Sequence, residues 1–265
     1  MPSTAVEVIA PAVVLRVQPV GDADVVAVLF CPERGRIDAF GRAVRSSRKR
    51  FEGAALQPFN EVEASIQPAR KGGLPTVRGA AARAHLLGPS PTYAQLVAGS
   101  YLLEMAGQLC QPGHADPALY LWLITWTGAC GRADAAALPL LLAAAELGAL
   151  WVAGMLPELD RCARCGAAVA AQGAAWPAGG DGLACRACCP PGAPWLPGAD
   201  LRAIDDAVRG ADPDRVASVA APTWALVSER ARSQLHHALR GPLRTGQAVA
   251  DTLRGASAAA GLAAP

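Results

Sequence analysis

Between Ala12 and Ile66 apolar residues recur at every second position, the alternation of a half-buried β-strand. Val13, Leu15 and Val17 share one face of "AVVLRVQPV", and Val26, Val28 and Phe30 one face of "DVVAVLF". Ile37 and Ala39 do so in "GRIDAF", and Val62, Ala64 and Ile66 in "EVEASI". "VGDAD" and "CPERGR" supply Gly, Asp and Pro where the chain must reverse. "GLPTVRGAAAR" predicts one more short strand, and five such strands within about 80 residues predict a small closed barrel.

After "LLGPSP" the period changes to that of helices. Thr92 followed by Gln95 predicts a capping box opening "TYAQLVAGSYLLEMAGQLC", with Leu96, Leu103 and Met105 turned to a core. "PALYLWLITWTGAC" and an apolar helix ending near Leu156 follow. A cysteine-rich segment without periodicity interrupts them, and helices resume with "ADLRAIDDAVRG" and "TWALVSERARSQLHHALRG". In the last of these Trp224, Val227, Ala231 and Leu235 form one stripe. The end, "ASAAAGLAAP", is expected to fray. The fold class predicted is α+β: an N-terminal five-stranded barrel over residues 1–85, then an α-helical domain over 86–265 that carries an insertion at about 158–195.

At 265 residues such domains bury their cores without disulfides. The start, "MPSTAVEVIAPAVVLRV", lacks the charged opening and apolar core of a secretory signal, so the reducing cytosol is the expected compartment. "ALPLLLAAAELGALWVAGML", residues 137–156, is nearly bilayer length but holds Glu146 mid-span and owes much of its apolarity to alanine. A helix covered by protein is expected there, with no membrane partner. Net charge is only +2, yet residues 1–88 hold 12 Lys and Arg against 8 Asp and Glu, so the basic end is the N-terminal one.

Five of the eight cysteines lie within Cys162–Cys189. Cys162-x2-Cys165, a gap of 19 residues, then Cys185-x2-Cys188 is the spacing of a four-thiolate zinc site. A redox CxxC opens a helix after a strand, a context neither pair has. Four cysteine ligands close the metal shell and leave no place for water, which makes one Zn2+ per chain structural rather than catalytic. Cys189 stands beside Cys188 as an alternative fourth ligand, while Cys31, Cys110 and Cys130 sit among apolar residues as packing groups.

"GRAVRSSRKRF", residues 41–51, carries Arg42, Arg45, Arg48, Lys49 and Arg50 with no acidic residue, and Arg34 and Arg36 lie just upstream. Clustered like charges repel one another, and a nucleic acid relieves that repulsion while releasing its counterions. Phe40 and Phe51 bracket the run at positions from which they can stack on bases, and two serines with Gly41 suit a mobile loop. The competing reading is an ordinary solvated loop. No GxxxxGK[ST], HExxH, GxSxG or GxGxxG occurs, and His85, His114, His236 and His237 have no partner at ligand spacing. No enzyme and no small-molecule substrate are therefore expected.

The order of these features resembles the RecO family of bacterial recombination mediators over about residues 10–245. The resemblance rests on "VLRVQPVGDADVVAVLF", on "ERGRIDAFGRAVRSSRKRFEGAALQPFNEVE", on "YLLEM", and on "GMLPELDRCARCG" followed by the second CxxC. It implies an N-terminal OB-fold, a helical middle and a four-cysteine zinc element. It also implies binding to single- and double-stranded DNA, annealing of complementary strands coated by single-stranded-DNA-binding protein, and, with RecR, loading of RecA at the nucleoid. Carried over, the zinc ligands are Cys162, Cys165, Cys185 and Cys188, and the DNA-contacting segment spans Arg34, Arg36, Arg42, Arg45, Arg48, Lys49, Arg50 and Phe51. The alternative is a zinc-ribbon protein that docks on a protein or RNA partner.

Overall fold

The computed structural model describes residues 8–47, 49–69 and 72–259. Five strands, β1 (Val8–Val20), β2 (Asp24–Cys31), β3 (Gly35–Gly41), β4 (Asn60–Gln67) and β5 (Thr76–His85), close a barrel in the order β1-β2-β3-β5-β4. β1 is long enough to serve both its neighbours: its first half pairs with β4 and its second half with β2. Only β3 and β5 run parallel, joined through Phe40–Thr76 and Gly41–Val77. This is the small closed five-stranded barrel that the alternation predicts, OB-like as the resemblance implies.

The interior is filled by Ala10, Ala12, Val14, Val25, Ala27, Leu29, Cys31, Val62, Ala64, Ile66 and Val77 among others. A register shift between Val14 and Arg16 brings Val17 back against that interior. On β1 and β2 the inward set is thus mostly the face opposite to that of Val13, Leu15, Val28 and Phe30. Val13, Leu15, Val28 and Phe30 are also buried, but outside the barrel. Phe30 meets Tyr120 edge to face at 5.7 Å, and Leu15 Cδ1 lies 3.7 Å from where a Cβ on Gly107 would stand. With apolar residues on both faces, alternation alone does not say which face looks inward. On β4 the expected face, Val62, Ala64 and Ile66, does fill the barrel.

The helices that cover this face are α1 (Tyr93–Leu109) and α2 (Pro117–Arg132). The capping box is formed: Thr92 Oγ1 accepts from the Gln95 amide, and Gln95 Oε1 accepts from the Thr92 amide. Leu103 and Met105 are buried, whereas Leu96 faces solvent. Gly35, at φ +65°, lets the β2–β3 turn approach the chain after α1, where a side chain would run into the carbonyls of Gln111 and His114. Barrel, α1, α2 and the short segment Leu243–Thr245 form one compact unit. That segment is held by Glu104 of α1, which accepts from the amides of Arg244 (2.8 Å) and Thr245 (3.0 Å) and from the Thr245 hydroxyl (2.7 Å).

The second unit comprises residues 133–242 and 246–265. By packing the chain divides after residue 132, because α1 and α2 bury their apolar faces with the barrel, while the change of period at 85/86 separates the strands from the helices. The unit contains α3 (Leu138–Val152), α4 (Gly198–Arg209), α5 (Ala221–Ala238) and α6 (Gly246–Ala259). Trp224, Val227, Ala231 and Leu235 of α5 are buried as one stripe. The apolar run 137–156 forms only the 15-residue α3, with Glu146 fully buried, and no helix among the described residues is long and apolar enough to cross a membrane. At the C-terminus the helix continues through Ala256 to Ala259, where fraying is expected from the sequence; residues 260–265 lie outside the described residues.

Candidate nucleic-acid interface and metal centre

The strand β3 divides the basic segment in two. Arg34 and Arg36 stand at its start and Arg42 just past its end, and six residues at ~3.3 Å each set Arg36 and Arg42 about 20 Å apart. Arg36 is engaged: its Nε and Nη2 donate to the two carboxylate oxygens of Asp38 at 3.0 and 3.1 Å, and its side chain is only 25 % exposed. Arg34 is exposed in the β2–β3 turn. These two do not extend the downstream cluster, because an extended strand carries a sequence neighbour to the far end of the barrel.

Beyond β3, Arg42, Arg45, Lys49 and Arg50 are all exposed on one loop; Arg48 lies outside the described residues. The expected mobile loop is tied at both ends. The Ala43 amide donates to Asp24 Oδ1 (2.7 Å), the Arg45 amide to the Ala23 carbonyl (3.2 Å), and the Ala80 amide of β5 to the Arg50 carbonyl (2.9 Å). Inside the loop Arg50 donates to Ser47 Oγ and to the Arg42 carbonyl. Several cationic side chains are thereby held on a short rigid stretch, which reduces the ordering penalty of binding a phosphate backbone.

Phe51 is placed otherwise than the sequence suggests. It is 3 % exposed, packed in the barrel core with Ala55, Leu56 and Ala80, so it anchors the loop and does not present a ring to bases. The Arg50 guanidinium covers its ring at 5.4 Å from the centroid. A residue missed in the sequence is Arg78 of β5, exposed beside the Gly41–Val77 pairing and two residues from the Ala80–Arg50 hydrogen bond. Its signal was the strand's own alternation, with Val77 in and Arg78 out, joined to a parallel pairing that no local pattern reveals.

Between α3 and α4 the chain makes two cysteine knuckles. The Sγ atoms of Cys162, Cys165, Cys185 and Cys188 all lie within 4.8 Å of one another. The Cys165–Cys185 separation is 3.7 Å, close to the ~3.8 Å edge of a tetrahedron with metal–sulfur bonds of about 2.3 Å. Gly166, at φ +72°, turns the first knuckle so that its amide donates back to the Cys162 carbonyl at 2.9 Å. Ala163 N to Leu183 O, at 2.7 Å, joins one knuckle to the other. Backbone amides, that of Cys185 foremost and those of Cys165 and Arg164 after it, draw the Cys162 thiol down to about 6 despite its burial. Cys188, sharing protons with Cys165 and Cys185, is pushed up to about 12. Such amide donors stabilise thiolate, the form a metal takes, and the donor set fits a divalent ion of zinc type.

Cys189 is not among the four: its Sγ turns to the Pro190 carbonyl at 3.2 Å. Cys31, Cys110 and Cys130 are buried packing residues, and burial pushes the thiol of Cys31 up to about 11 and that of Cys130 to about 12.

Residues 6–84 match the family model described as "Recombination protein O N terminal", and residues 90–245 the one described as "Recombination protein O C terminal". Among curated proteins, the chain is 37 % identical to "DNA repair protein RecO" of Anaeromyxobacter dehalogenans (strain 2CP-C) over 185 residues, 67 % of this chain and 69 % of the relative. It is 34 % identical over 183 residues to the protein of that name from Thermobifida fusca, covering 68 % and 72 % of the two chains. To the one from Frankia casuarinae it is 32 % identical over 204 residues, 75 % and 80 %.

Proposed function

This chain belongs to the RecO family of DNA repair proteins, and from that premise we propose that it is a non-enzymatic, DNA-binding recombination mediator. In this reading it binds single- and double-stranded DNA and anneals complementary strands. With RecR it helps load RecA on strands coated by single-stranded-DNA-binding protein, in the cytoplasm at the nucleoid. The observation that carries the reading is the cluster of exposed cations Arg42, Arg45, Lys49 and Arg50 on a loop tied to an OB-fold barrel. Arg78 of β5 stands beside it.

The chemistry required is charge neutralisation and positioning. Two strands approach each other only when their phosphate repulsion is screened. Guanidinium groups on a rigid loop screen it while leaving base edges free to pair. Because the loop's contacts are to phosphates and Phe51 is withdrawn into the core, binding is expected to be nearly independent of sequence. In the second unit Cys162, Cys165, Cys185 and Cys188 would hold one Zn2+, which when bound would cross-link the two knuckles.

The test is annealing of two complementary oligonucleotides, one precoated with single-stranded-DNA-binding protein. The reading expects pairing to accelerate with wild type and to lose that acceleration when Arg42, Arg45, Arg48, Lys49 and Arg50 are neutralised. Equal rates with and without the protein would overturn it.

A further inference from the structure

The two knuckles share a feature that the metal does not require. Each has one alanine and one arginine between its cysteines, Cys162-Ala163-Arg164-Cys165 and Cys185-Arg186-Ala187-Cys188, and all four intervening residues are exposed. Arg164 adjoins Cys165 and Arg186 adjoins Cys185, the two cysteines whose sulfurs are 3.7 Å apart. The Ala163–Leu183 hydrogen bond straps the knuckles at the same place. Two guanidinium groups therefore issue from adjoining corners of one rigid element.

Arginines beside four thiolates have an obvious other use, which is to offset a net charge near −2. Among the described residues, however, neither guanidinium hydrogen-bonds a cysteine sulfur. The Arg186 guanidinium lies over the Trp195 ring at 4.9 Å, and the Arg164 guanidinium makes no hydrogen bond or ion pair among the described residues. Arg161, the third arginine of the segment, is exposed but engaged, near Glu158 and Asp160 and donating to the Gly166 carbonyl. Stacking on an indole orients a guanidinium while leaving its in-plane N–H donors for an anion. Asp181, the acidic residue of the second knuckle's approach, is exposed and has no ion pair with either arginine among the described residues.

We infer that Arg164 and Arg186 form a second phosphate-contacting surface for single-stranded nucleic acid, on the knuckles and separate from the barrel loop. The inference rests on the DNA-binding function proposed above. Its consequence is that one chain carries a contact site on each of its two compact units, one for each strand of an annealing pair.

The probe is a fluorescent single-stranded oligonucleotide titrated from about 50 to 200 mM salt, with wild type, Arg164→Ala/Arg186→Ala, and Arg164→Lys/Arg186→Lys. Two lost phosphate contacts flatten the log–log salt slope by at most about 1.4, or about sevenfold in affinity over that range. The lysine pair is expected to restore most of the slope, and metal content is expected to be unchanged because neither residue is a ligand. Inorganic phosphate is expected to compete no better than chloride at equal ionic strength; selective competition by phosphate would assign the pair to a small anion instead. A slope identical to wild type in the alanine pair, with the barrel-loop variant still altering it, overturns this inference alone. No salt-dependent binding by wild type overturns the DNA-binding reading itself.

Discussion

Arg232 of α5 donates through Nε to Oε1 of Glu146, 86 residues earlier in the chain, at 2.8 Å. The Ser228 hydroxyl, one turn before Arg232, donates to the other carboxylate oxygen at 2.6 Å. Glu146 is fully buried while Arg232 remains about half exposed, so a charged residue in the middle of an alanine- and leucine-rich helix is covered by protein and answered by a neighbouring helix. That relationship settles how an apolar run of nearly bilayer length is accommodated.

Removing one partner of a buried carboxylate leaves its desolvation less well compensated. Arg232→Met is expected to lower the unfolding free energy by about 2–3 kcal/mol, somewhat below the ~3–5 kcal/mol seen for fully buried pairs because Arg232 reaches solvent. Glu146→Leu combined with Arg232→Met is expected to recover much of that loss, since two apolar groups need no pairing. Denaturant titration checks both. A double variant no more stable than Arg232→Met would contradict the assignment of the cost to the unpaired charge.

The Glu104 clamp on Leu243–Thr245 gives a pH signature. Burial alone would raise its carboxyl, but hydrogen bonds from the Arg244 and Thr245 amides and the Thr245 hydroxyl, with the Arg244 charge, outweigh burial and hold it below the ordinary carboxylate value. A depressed folded pKa contributes stability that is present above the unfolded carboxyl pKa of about 4.3 and is lost as pH falls through the lower folded value. Glu104→Gln is therefore expected to melt lower than wild type at pH 7, by on the order of 1 kcal/mol for a partly exposed group, and the gap should close on acidification below about pH 4. Melting temperature against pH is the measurement. A gap that widens in acid would reverse the sign.

Phe51 is expected to act on stability and not on binding. Phe51→Ala should cost about 3–5 kcal/mol, whereas Phe51→Leu, which keeps an apolar side chain in the barrel, should retain DNA affinity. Loss of affinity in a stable Phe51→Leu protein would return the ring to the binding surface.

The metal reading expects one zinc per purified chain, lost with destabilisation in Cys162→Ser and retained in Cys189→Ala, whose thiol faces Pro190. Elemental analysis beside thermal melting decides it. Zinc kept in Cys188→Ser, or lost in Cys189→Ala, would change the fourth ligand.

Local features of the chain were legible in the sequence. The Thr92–Gln95 capping box, the Trp224–Leu235 stripe and the paired CxxC spacing are each fixed by residues a few positions apart, and each stands as read. What was not legible depends on distant partners. Which face of β1 and β2 looks inward is decided by α1 and α2, the loss of Phe51 to the core by Ala80 of β5, and the split of the arginines by the length of β3. Asp38, two residues from Arg36, was the one local sign that this arginine is already paired.

In the proposed function the barrel loop holds DNA by its phosphates. This is tested most directly by the salt dependence of single-strand binding in wild type and in a variant with Arg42, Arg45, Arg48, Lys49 and Arg50 all changed to alanine. Five phosphate contacts at ~0.7 each bound the difference in log–log slope at about 3.5. Raising salt from about 50 to 200 mM should then cost wild type up to about 100-fold more affinity than the variant, while metal content stays unchanged because none of the five is among the clustered cysteines. Indistinguishable slopes in the two proteins would contradict the claim and place the DNA elsewhere on the chain.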